Sequence, residues 1–478
     1  MREGKEIFNT RGMAQSIRYT DYKDIYSAIS ELVDNSIEAK SKNICVAVYE
    51  TLGTTGKEQI GDIGIIDDGH GMDKELLHEC LVFGSSTKHQ RKSMGRFGVG
   101  LGQASLFAAP RVEVYSWQKT NEIFSVYLDT DKMRKGEQDL IPYPTKSVFP
   151  RYFNNFMHMN SSKYAKFDCR EHGTFVLWKF VDKVTVKNQT FYERLAKELG
   201  RKFRYYIDNG VNIYIANTSL DTFIKVQSID PLFLMKNSRF QAVKGTYDTC
   251  DFSNSTTESI FEPFISDVTP NGEYVIPVRI DKEHKVPINS NIKLKFSIVK
   301  SQYYYSEKLR RIDPKTRKVT TISPGDTPIG KVLKAYERIS VVRAHREIDF
   351  DRFNLYESVN DPANRFWGAE IEFSPVLDEF FKLSNNKQKV EIIAFQKRRK
   401  ATVKNTLDLE ELVNREGYMK NAIISDLSLY GDFEDEIAVW IHLNTVFNKV
   451  LYLIKKRNKM LHDTFKHSDS SLSTMVPK

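Results

Sequence analysis

Two polar side chains with complementary chemistry lie four residues apart near the start of the sequence. Glu31 and Asn35 bound the segment Glu31-Leu-Val-Asp-Asn35, and this spacing places both on one face of a helix. A carboxylate can deprotonate a water molecule, and an amide oxygen is a neutral ligand for magnesium. The pair could therefore serve the attack of water on a metal-bound phosphate. Taken alone, such a pair could equally be part of a solvated polar face.

A second polar segment follows a short apolar run and reads Asp67-Asp68-Gly69-His70-Gly71-Met72. Asp67 could accept a hydrogen bond from the exocyclic amine of a base, and Met72 could pack on the ring. Gly69 and Gly71 would let the backbone approach a flat ligand. Aspartate and glycine in this pattern also form common turns, so the segment alone leaves both interpretations open.

A third segment is a glycine run, Gly95-Arg-Phe-Gly98-Val-Gly100-Leu-Gly102, which leads into an apparent helix at 101–107. The N–H groups of such a loop, and the N-terminus of the helix after it, can bind phosphate oxygens. The run is not a P-loop, because no Gly-Lys-Ser/Thr ends it. The stretch 325–331 has the Walker spacing, but Val332 stands where a hydroxyl should bind magnesium, so we do not interpret it as a phosphate loop.

The elements that must position these groups are a mixture of helices and strands. Apolar residues recur at helical spacing over 22–40, with Thr20 or Asp21 as the expected N-cap. Strand-like runs are found at 44–49, 63–66, 112–117, 124–128, 174–181 and 211–215, and a helical pattern covers 191–207. Thr174 begins one of these strands with a hydroxyl that could share the site of Asp67. The mixture predicts an α+β first domain over residues 1–218.

The remainder of the chain divides into two parts. Strands are predicted at 274–280, 292–299 and 336–342 and a helix at 376–383, which together indicate a second α+β domain over residues 219–395. Residues 396–478 are predicted to be a helical C-terminal region. Its last helix carries an apolar stripe formed by Trp440, Leu443, Phe447, Val450, Leu451 and Ile454. The stripe is either core or a surface for a partner helix.

The composition is typical of a folded globular protein with two or three domains. Of the 478 residues, 40% are hydrophobic and 28% are charged. No stretch approaches the ~20 apolar residues that cross a bilayer, and the N-terminus has no apolar signal region. The four cysteines have the spacing of neither a disulfide framework nor a metal site. We therefore expect a cytoplasmic or nucleoid-associated protein that does not bind membranes.

In their order and spacing, the three segments and Thr174 resemble the GHKL superfamily of gyrase, the large heat-shock chaperone, histidine kinases and MutL. The resemblance covers roughly residues 15–215. It implies a two-layer α/β sandwich that binds ATP and Mg²⁺. It also implies Glu31 as the general base, Asn35 as the magnesium ligand and Asp67, assisted by Thr174, as the adenine contact. Histidine kinases typically carry Asn in place of Glu31, so hydrolysis is favoured over phosphotransfer.

The lid segment narrows the resemblance. Phe83-Gly-Ser-Ser-Thr-Lys88, followed by the glycine run, resembles the lid of MORC-type ATPases and their bacterial relatives. The resemblance implies these further nucleotide contacts: Gly69, Gly71, Met72, Lys88, Gly95, Arg96, Phe97, Gly98, Val99, Gly100 and Gly102. The second domain resembles the transducer of such proteins, in which a lysine reaches the γ-phosphate. Lys387 is the candidate for that lysine, and an ordinary solvated lysine is the alternative.

The charge balance leaves the partner open. Lys and Arg number 71 against 62 Asp and Glu, a net charge of +9. Basic clusters at 308–318, 397–400 and 455–459 lie outside the ATPase domain and could bind DNA phosphates or be solvated faces. The leading hypothesis is an ATP-dependent homodimeric clamp on DNA, for which the resemblance to bacterial relatives suggests genome defence. A chaperone-like ATPase that clamps polypeptides, and a non-catalytic nucleotide-sensing scaffold with protein partners, are the alternatives.

Overall fold

The structure is a computed structural model that describes part of the chain. The described residues are 12, 18, 22–53, 56–83, 100–161, 165–235, 238, 260–280, 288–301, 310–312, 315–316, 319–321, 324–326, 328–351, 365–378, 380–381, 383 and 436–473. They form two compact units, the first ending at Ser228 and the second beginning at Ile229.

The first unit is built on one large sheet with helices. Its strands are β1 Asn43–Leu52, β2 Glu58–Asp67, β3 Arg111–Trp117, β4 Phe124–Asp129, β5 Thr145–Lys146, β6 His158–Ser161, β7 Ala165–Asp168, β8 Gly173–Lys179, β9 Asn212–Asn217 and β10 Phe223–Lys225. Its helices are α1 Ile25–Glu38, α2 Lys74–Glu79, α3 Gly100–Ala108, α4 Thr130–Lys135, α5 Asn188–Lys202 and α6 Arg204–Asp208, with a 3-10 helix at Arg151–Phe156.

Eight of these strands form a mixed sheet in the order β10-β9-β1-β2-β8-β3-β4-β5. Strands β1 and β9 are parallel, and the other neighbours are antiparallel. Strands β6 and β7 form a separate pair. Strand β10 pairs with β9, so the first sheet continues beyond residue 218.

The central strands of the sheet are buried on both faces. Along β1, Ile44, Val46 and Val48 point toward the helices, whereas Cys45 and Ala47 point to the opposite face, as the two-residue period of a strand requires. The opposite face is covered by an aromatic layer that includes Tyr115, Trp117, Phe149, Phe153, Phe156, Phe167 and Phe175. Cys169 is also buried in this layer. The first unit is therefore an α/β sandwich whose second sheet face carries an aromatic cover.

Helix α1 starts later than the sequence predicts. Asp24 is its N-cap and accepts a hydrogen bond of 2.8 Å from the Ser27 N–H, so the prediction of Thr20 or Asp21 as the cap is wrong.

The second unit contains a six-stranded sheet and a long C-terminal helix. Its strands are β11 Phe261–Pro263, β12 Glu273–Ile280, β13 Ile288–Val299, β14 Arg310–Ile312, β15 Val319–Thr321, β16 Ile339–Arg343, β17 Arg346–Asp351 and β18 Trp367–Phe373. Its helices are α7 Pro328–Tyr336 and α8 Glu436–Ser473, with 3-10 helices at Pro324–Asp326 and Pro375–Leu377. The main sheet runs β11-β13-β18-β16-β17, and β12 pairs with β13. The α+β class predicted from the sequence is confirmed.

The apolar stripe of α8 is part of the second core. Leu443, Phe447, Val450 and Ile454 are buried in one core cluster with residues of β12, β13 and β18, and the Phe447 ring centroid lies 5.0 Å from that of Phe296. Leu451 is partly buried there, and the Trp440 side chain lies outside the described residues. Of the two interpretations left open, the core interpretation is correct for the described part of the stripe.

Two predicted elements of the second unit differ from the structure. The strand predicted at 336–342 begins only at Ile339, because Tyr336 ends α7, which buries Leu333. The helix predicted at 376–383 is replaced by the 3-10 turn Pro375–Leu377. Tertiary contacts determine that conformation, since Phe381 stacks on Phe373 at 3.7 Å and Asp378 forms a buried ion pair with Arg343 at 2.6 Å.

No described helix has the length and apolar content needed to cross a membrane.

Candidate functional site

Three neighbouring strands bring polar side chains together at one edge of the first unit. Asp67 at the end of β2 is paired with Thr174 at the start of β8, which is paired with Ser116 near the end of β3. Strand alternation places all three on the face that carries α1, because their neighbours Ile65 and Val114 belong to the core on that side. The Thr174 and Ser116 hydroxyl oxygens are 3.1 Å apart.

Asp67 is a buried carboxylate held by three donors. The residue is 4% exposed. Ser36 Oγ donates to Oδ2 at 2.8 Å, and Oδ1 accepts from Ser41 Oγ at 3.1 Å and from the Gly69 N–H at 2.9 Å. Burial raises the pKa of Asp67, and these hydrogen bonds oppose the rise. Such a group is a fixed, desolvated acceptor for an N–H of a ligand.

The turn after β2 is fixed by its own aspartate. Asp68 Oδ1 accepts the backbone N–H groups of Lys42 at 2.8 Å and Asn43 at 2.9 Å, and Oδ2 accepts from Asn43 Nδ2 at 2.7 Å. His172 Nδ1 lies 2.7 Å from the Gly69 carbonyl oxygen and ties the turn to the entry of β8. The turn is thus anchored on both sides.

Gly71 is required by the packing of this turn. Its φ is +67°, and a Cβ there would lie 2.1 Å from the carbonyl oxygen of Trp117. The following residue, Met72, is partly buried on the helix side, and its N–H donates to Ser116 Oγ at 2.8 Å. The glycine therefore lets the turn approach the end of β3, where Ser116 links it to Thr174.

Helix α1 presents the second half of the site. Glu31 is 7% exposed and Asn35 is half-buried, one turn apart on α1. The first turn of α3 touches Glu31, since a Cβ on Gly100 would lie 2.2 Å from Glu31 Oε1. A Cβ on Gly102 would lie 3.1 Å from the Phe83 ring. A carboxylate therefore lies beside the N-terminus of α3, whose N–H groups and dipole favour anions such as phosphate.

The described residues bring together Glu31 and Gly100 at the contact of α1 with α3, with Asn35 one turn from Glu31 along α1. Asp67, Gly69, Gly71, Met72 and Thr174 lie at the strand ends. Ser36 links the two groups, because it follows Asn35 on α1 and donates to Asp67. Seven predicted site residues lie outside the described residues: Lys88, Gly95, Arg96, Phe97, Gly98, Val99 and Lys387. Their roles stay predictions.

Sequence reasoning missed the hydroxyl groups that orient the site. Ser36 and Ser41 bind Asp67, and Ser116 binds both Thr174 and the Met72 N–H. One signal was present, since Ser116 is a small polar residue between Tyr115 and Trp117 in an otherwise strand-like run. The partners of Ser36 and Ser41 are 31 and 26 residues away and depend on the fold.

The chain is similar to a family of ATPases over a region that includes Glu31, Asn35 and Asp67. Residues 22–162 match the family model described as "Histidine kinase-, DNA gyrase B-, and HSP90-like ATPase". Protein MICRORCHIDIA 6 of Arabidopsis thaliana is 28% identical over 119 residues, which are 25% of this chain and 18% of that protein. Protein MICRORCHIDIA 1 of the same plant is 23% identical over 126 residues, which are 26% of this chain and 20% of that protein.

The matched region is about a fifth of the length of these curated relatives. A solved structure described as "Crystal Structure of N terminal domain of a DNA repair protein" aligns with a TM-score of 0.40 at 14% identity, over 85% of this chain and 99% of that chain. Residues 22–162 are therefore similar to a GHKL-type ATPase domain, and the chain resembles MORC proteins, as the sequence motifs predict.

Proposed function

We propose that this chain, which carries a GHKL ATPase domain, hydrolyses ATP with Glu31 as the general base and closes on DNA as an ATP-dependent homodimer. The main support for hydrolysis by Glu31 is the contact of its carboxylate with the first turn of α3. This contact lies on the same face of the sheet as the buried Asp67. Base recognition and water activation are thereby supported at two ends of one site.

Asp67 and the hydroxyl pair recognise the base. The Asp67 carboxylate accepts an N–H of the adenine exocyclic amine, and Thr174, whose hydroxyl is held by Ser116, offers a further hydrogen bond on the neighbouring strand. The N-terminus of α3, with Gly100 and Gly102, faces the phosphates. Lys88 and the residues 95–99 complete the phosphate cradle, and Lys387 neutralises the γ-phosphate.

The residues present fit one magnesium ion. Magnesium is bound in such sites by one or two protein oxygens, with phosphates and waters as the other ligands, and Asn35 offers an amide oxygen one turn from Glu31. When bound, the ion offsets the negative charge of the phosphate oxygens. A magnesium ion bound in this way needs no cluster of protein carboxylates, because phosphates and waters supply its other ligands.

Glu31 carries the chemical step. Its carboxylate takes a proton from the attacking water as the water oxygen bonds to the γ-phosphorus and the bond to the β–γ bridging oxygen breaks. ADP and phosphate are the products, and the proton on Glu31 returns to solvent. Burial of Glu31 beside α3 fixes the carboxylate in position and limits the access of other waters.

The test replaces Glu31 by glutamine. Glu31→Gln should abolish steady-state ATP hydrolysis and retain ATP binding, because the amide keeps the shape of the side chain and loses the base. Glu75→Gln, the same change at an exposed residue of α2, is the control and should hydrolyse ATP like the wild type. Hydrolysis by the Glu31→Gln protein at the wild-type rate would contradict the assignment.

DNA is favoured over a polypeptide as the clamped partner. The chaperone-like alternative uses the apolar stripe of α8, and Leu443, Phe447, Val450 and Ile454 of that stripe are buried in the second core. The basic residues of α8, by contrast, include exposed lysines. The resemblance of the motifs to bacterial relatives of MORC-type ATPases is the support for a role in genome defence.

Sedimentation velocity with a non-hydrolysable ATP analogue, with and without duplex DNA, tests the clamp. The expected result is a dimer that forms with the analogue and is retained on DNA. A protein that stays monomeric with the analogue and DNA together would exclude the clamp, and would leave the Glu31 test unaffected.

A further inference from the structure

Helix α8 has two faces of opposite character. One face carries Leu443, Phe447, Val450 and Ile454 and is buried against the second sheet. The opposite face is exposed over residues 452–459: Tyr452 is 64% exposed, and Lys455, Lys456 and Lys459 are exposed. With 3.6 residues per turn, Tyr452, Lys456 and Lys459 lie on one stripe, flanked by Lys455.

This exposed stripe is strongly positive. From residue 437 to residue 462 the sequence has no Asp or Glu, whereas it has Lys449, Lys455, Lys456, Arg457 and Lys459. The acid-free stretch ends at Asp463, on the next turn of the same stripe. The local charge is therefore far from the mixed pattern of an ordinary solvated helix face.

Arg457 contacts the sheet and does not belong to the exposed lysine stripe. Its guanidinium donates to the Val299 carbonyl oxygen at 3.0 Å and lies 3.4 Å from Glu262 Oε1, on the side of α8 that packs against the sheet. Asn458 next to it is buried and donates to the Arg365 carbonyl oxygen at 2.7 Å. These two polar residues dock the helix, so the outward charge comes from the lysines.

We propose that the outward face of α8, formed by Tyr452, Lys455, Lys456 and Lys459, binds the phosphate backbone of duplex DNA. The proposal rests on the proposed function in taking DNA as the partner, and it assigns the contact to one helix face. Lys456 and Lys459 lie about 4.5 Å apart along the helix axis. Both can therefore reach one stretch of backbone, in which each strand carries a charge every ~3.4 Å of duplex axis.

The positive charge of this helix face favours the DNA backbone as its ligand. Lysine ammonium groups on flexible stems bind phosphates as point charges and demand no particular base sequence. Among the exposed residues of the stripe, Tyr452 adds an aromatic hydroxyl that can donate to a phosphate oxygen. The expected binding is sequence-independent and salt-sensitive.

The test removes two of the charges. Lys456→Gln/Lys459→Gln keeps helix-forming residues at both positions. Each lost phosphate contact lowers the steepness of log affinity against log salt concentration by about 0.9, so the loss of two contacts should lower it by about 1.8. At ~0.1 M salt, a contribution of about 0.9 to the slope corresponds to a loss of about eightfold in DNA affinity for each contact removed. Fluorescence anisotropy with a labelled duplex over a salt series measures both.

Lys146→Gln/Lys225→Gln is the matched control. These lysines are exposed on β5 and β10, the two edge strands of the first sheet, and their replacement removes the same net charge. The control should keep the wild-type slope, and all proteins should keep the wild-type circular dichroism and basal ATP hydrolysis. A third protein, Lys456→Arg/Lys459→Arg, should restore the slope.

The outcomes separate this inference from the proposed function. If the wild type binds duplex DNA and the α8 variant keeps its slope and affinity, the face assignment is wrong and the clamp on DNA stands. Equal losses in the α8 variant and in the control would also overturn the assignment. If the wild type does not bind DNA at any salt concentration, the DNA half of the proposed function fails and this inference fails with it.

Discussion

Asp67 shows how a single residue is prepared for recognition at the expense of stability. Three donors, Ser36, Ser41 and the Gly69 N–H, hold its two oxygens while burial disfavours its charge. A carboxyl with a raised pKa in the folded state stabilises the fold below its unfolded pKa of about 3.9, and this contribution is lost as the pH rises through the folded value. At neutral pH, well above the unfolded pKa, the Asp67 carboxyl therefore costs stability.

Asp67→Asn is predicted to stabilise the unliganded protein at pH 7 and to weaken ATP binding. The amide is neutral and fits, because Ser36 Oγ already lies 3.1 Å from the Leu32 carbonyl oxygen and can donate there while it accepts from the amide. Hydrogen bonds to charged groups contribute about 1.5–3 kcal/mol, so ATP affinity should fall at least roughly tenfold.

Thermal melting of the first unit between pH 4 and pH 8 measures the stability effect. The wild type should lose stability relative to Asp67→Asn as the pH rises. If the melting temperatures of the two proteins change with pH in the same way across this range, burial of the Asp67 charge does not cost stability. ATP titration calorimetry measures the affinity.

At the scale of elements, the contact of α1 with α3 determines where Glu31 lies. Gly100→Ala is predicted to impair hydrolysis, because the new methyl would occupy a position 2.2 Å from Glu31 Oε1 and displace the carboxylate or the helix. A displacement of about 1 Å can cost ~10²-fold in rate. Alanine is the better helix former, so helix propensity does not cause the loss.

Gly102→Ala is the comparison, since its methyl would lie 3.1 Å from the edge of the Phe83 ring, which can shift, and 3.6 Å from the Leu81 carbonyl oxygen, an ordinary contact distance. Single-turnover rates of both variants should show the larger loss for Gly100→Ala. Equal rates in Gly100→Ala and the wild type would mean that α3 does not position Glu31.

Much of the element pattern could be predicted from the sequence. The apolar period of α1 and the alternation in β1 and β3 are local signals, so those elements lie where the residues indicate. The pairing order β2-β8-β3 is not local, and it alone brings Ser116 beside Thr174. The turn at Pro375–Leu377 likewise depends on Phe373 and Arg343, which precede it in other strands.

At the scale of the whole molecule, the described residues form separate cores in the two units. Phe447→Ala is predicted to destabilise the second unit by about 3–5 kcal/mol, because it removes a fully buried ring that packs against Phe296. ATP affinity, which the proposed site assigns to the first unit, should be unchanged where both units are folded.

Met460→Ala, at a 63% exposed residue of the same helix, is the control and should change stability by less than about 0.5 kcal/mol. Denaturant unfolding followed by tryptophan fluorescence, together with ATP titration, measures both properties. A loss of ATP affinity in folded Phe447→Ala would show that the cores are energetically coupled.

The two cysteines beneath the sheet make its opening observable. Cys45 and Cys169 are each at most 1% exposed among the aromatic side chains, and burial raises the pKa of both thiols. Thiol reagents attack the thiolate, so each cysteine reacts only when the layer above it separates from the strands. Cys45 lies on β1, which is paired with β2, and Cys169 is bonded through its carbonyl oxygen to the Trp117 indole, next to the turn of Gly71. The alkylation rate of these thiols therefore measures how often the aromatic layer separates from the strands of the first sheet.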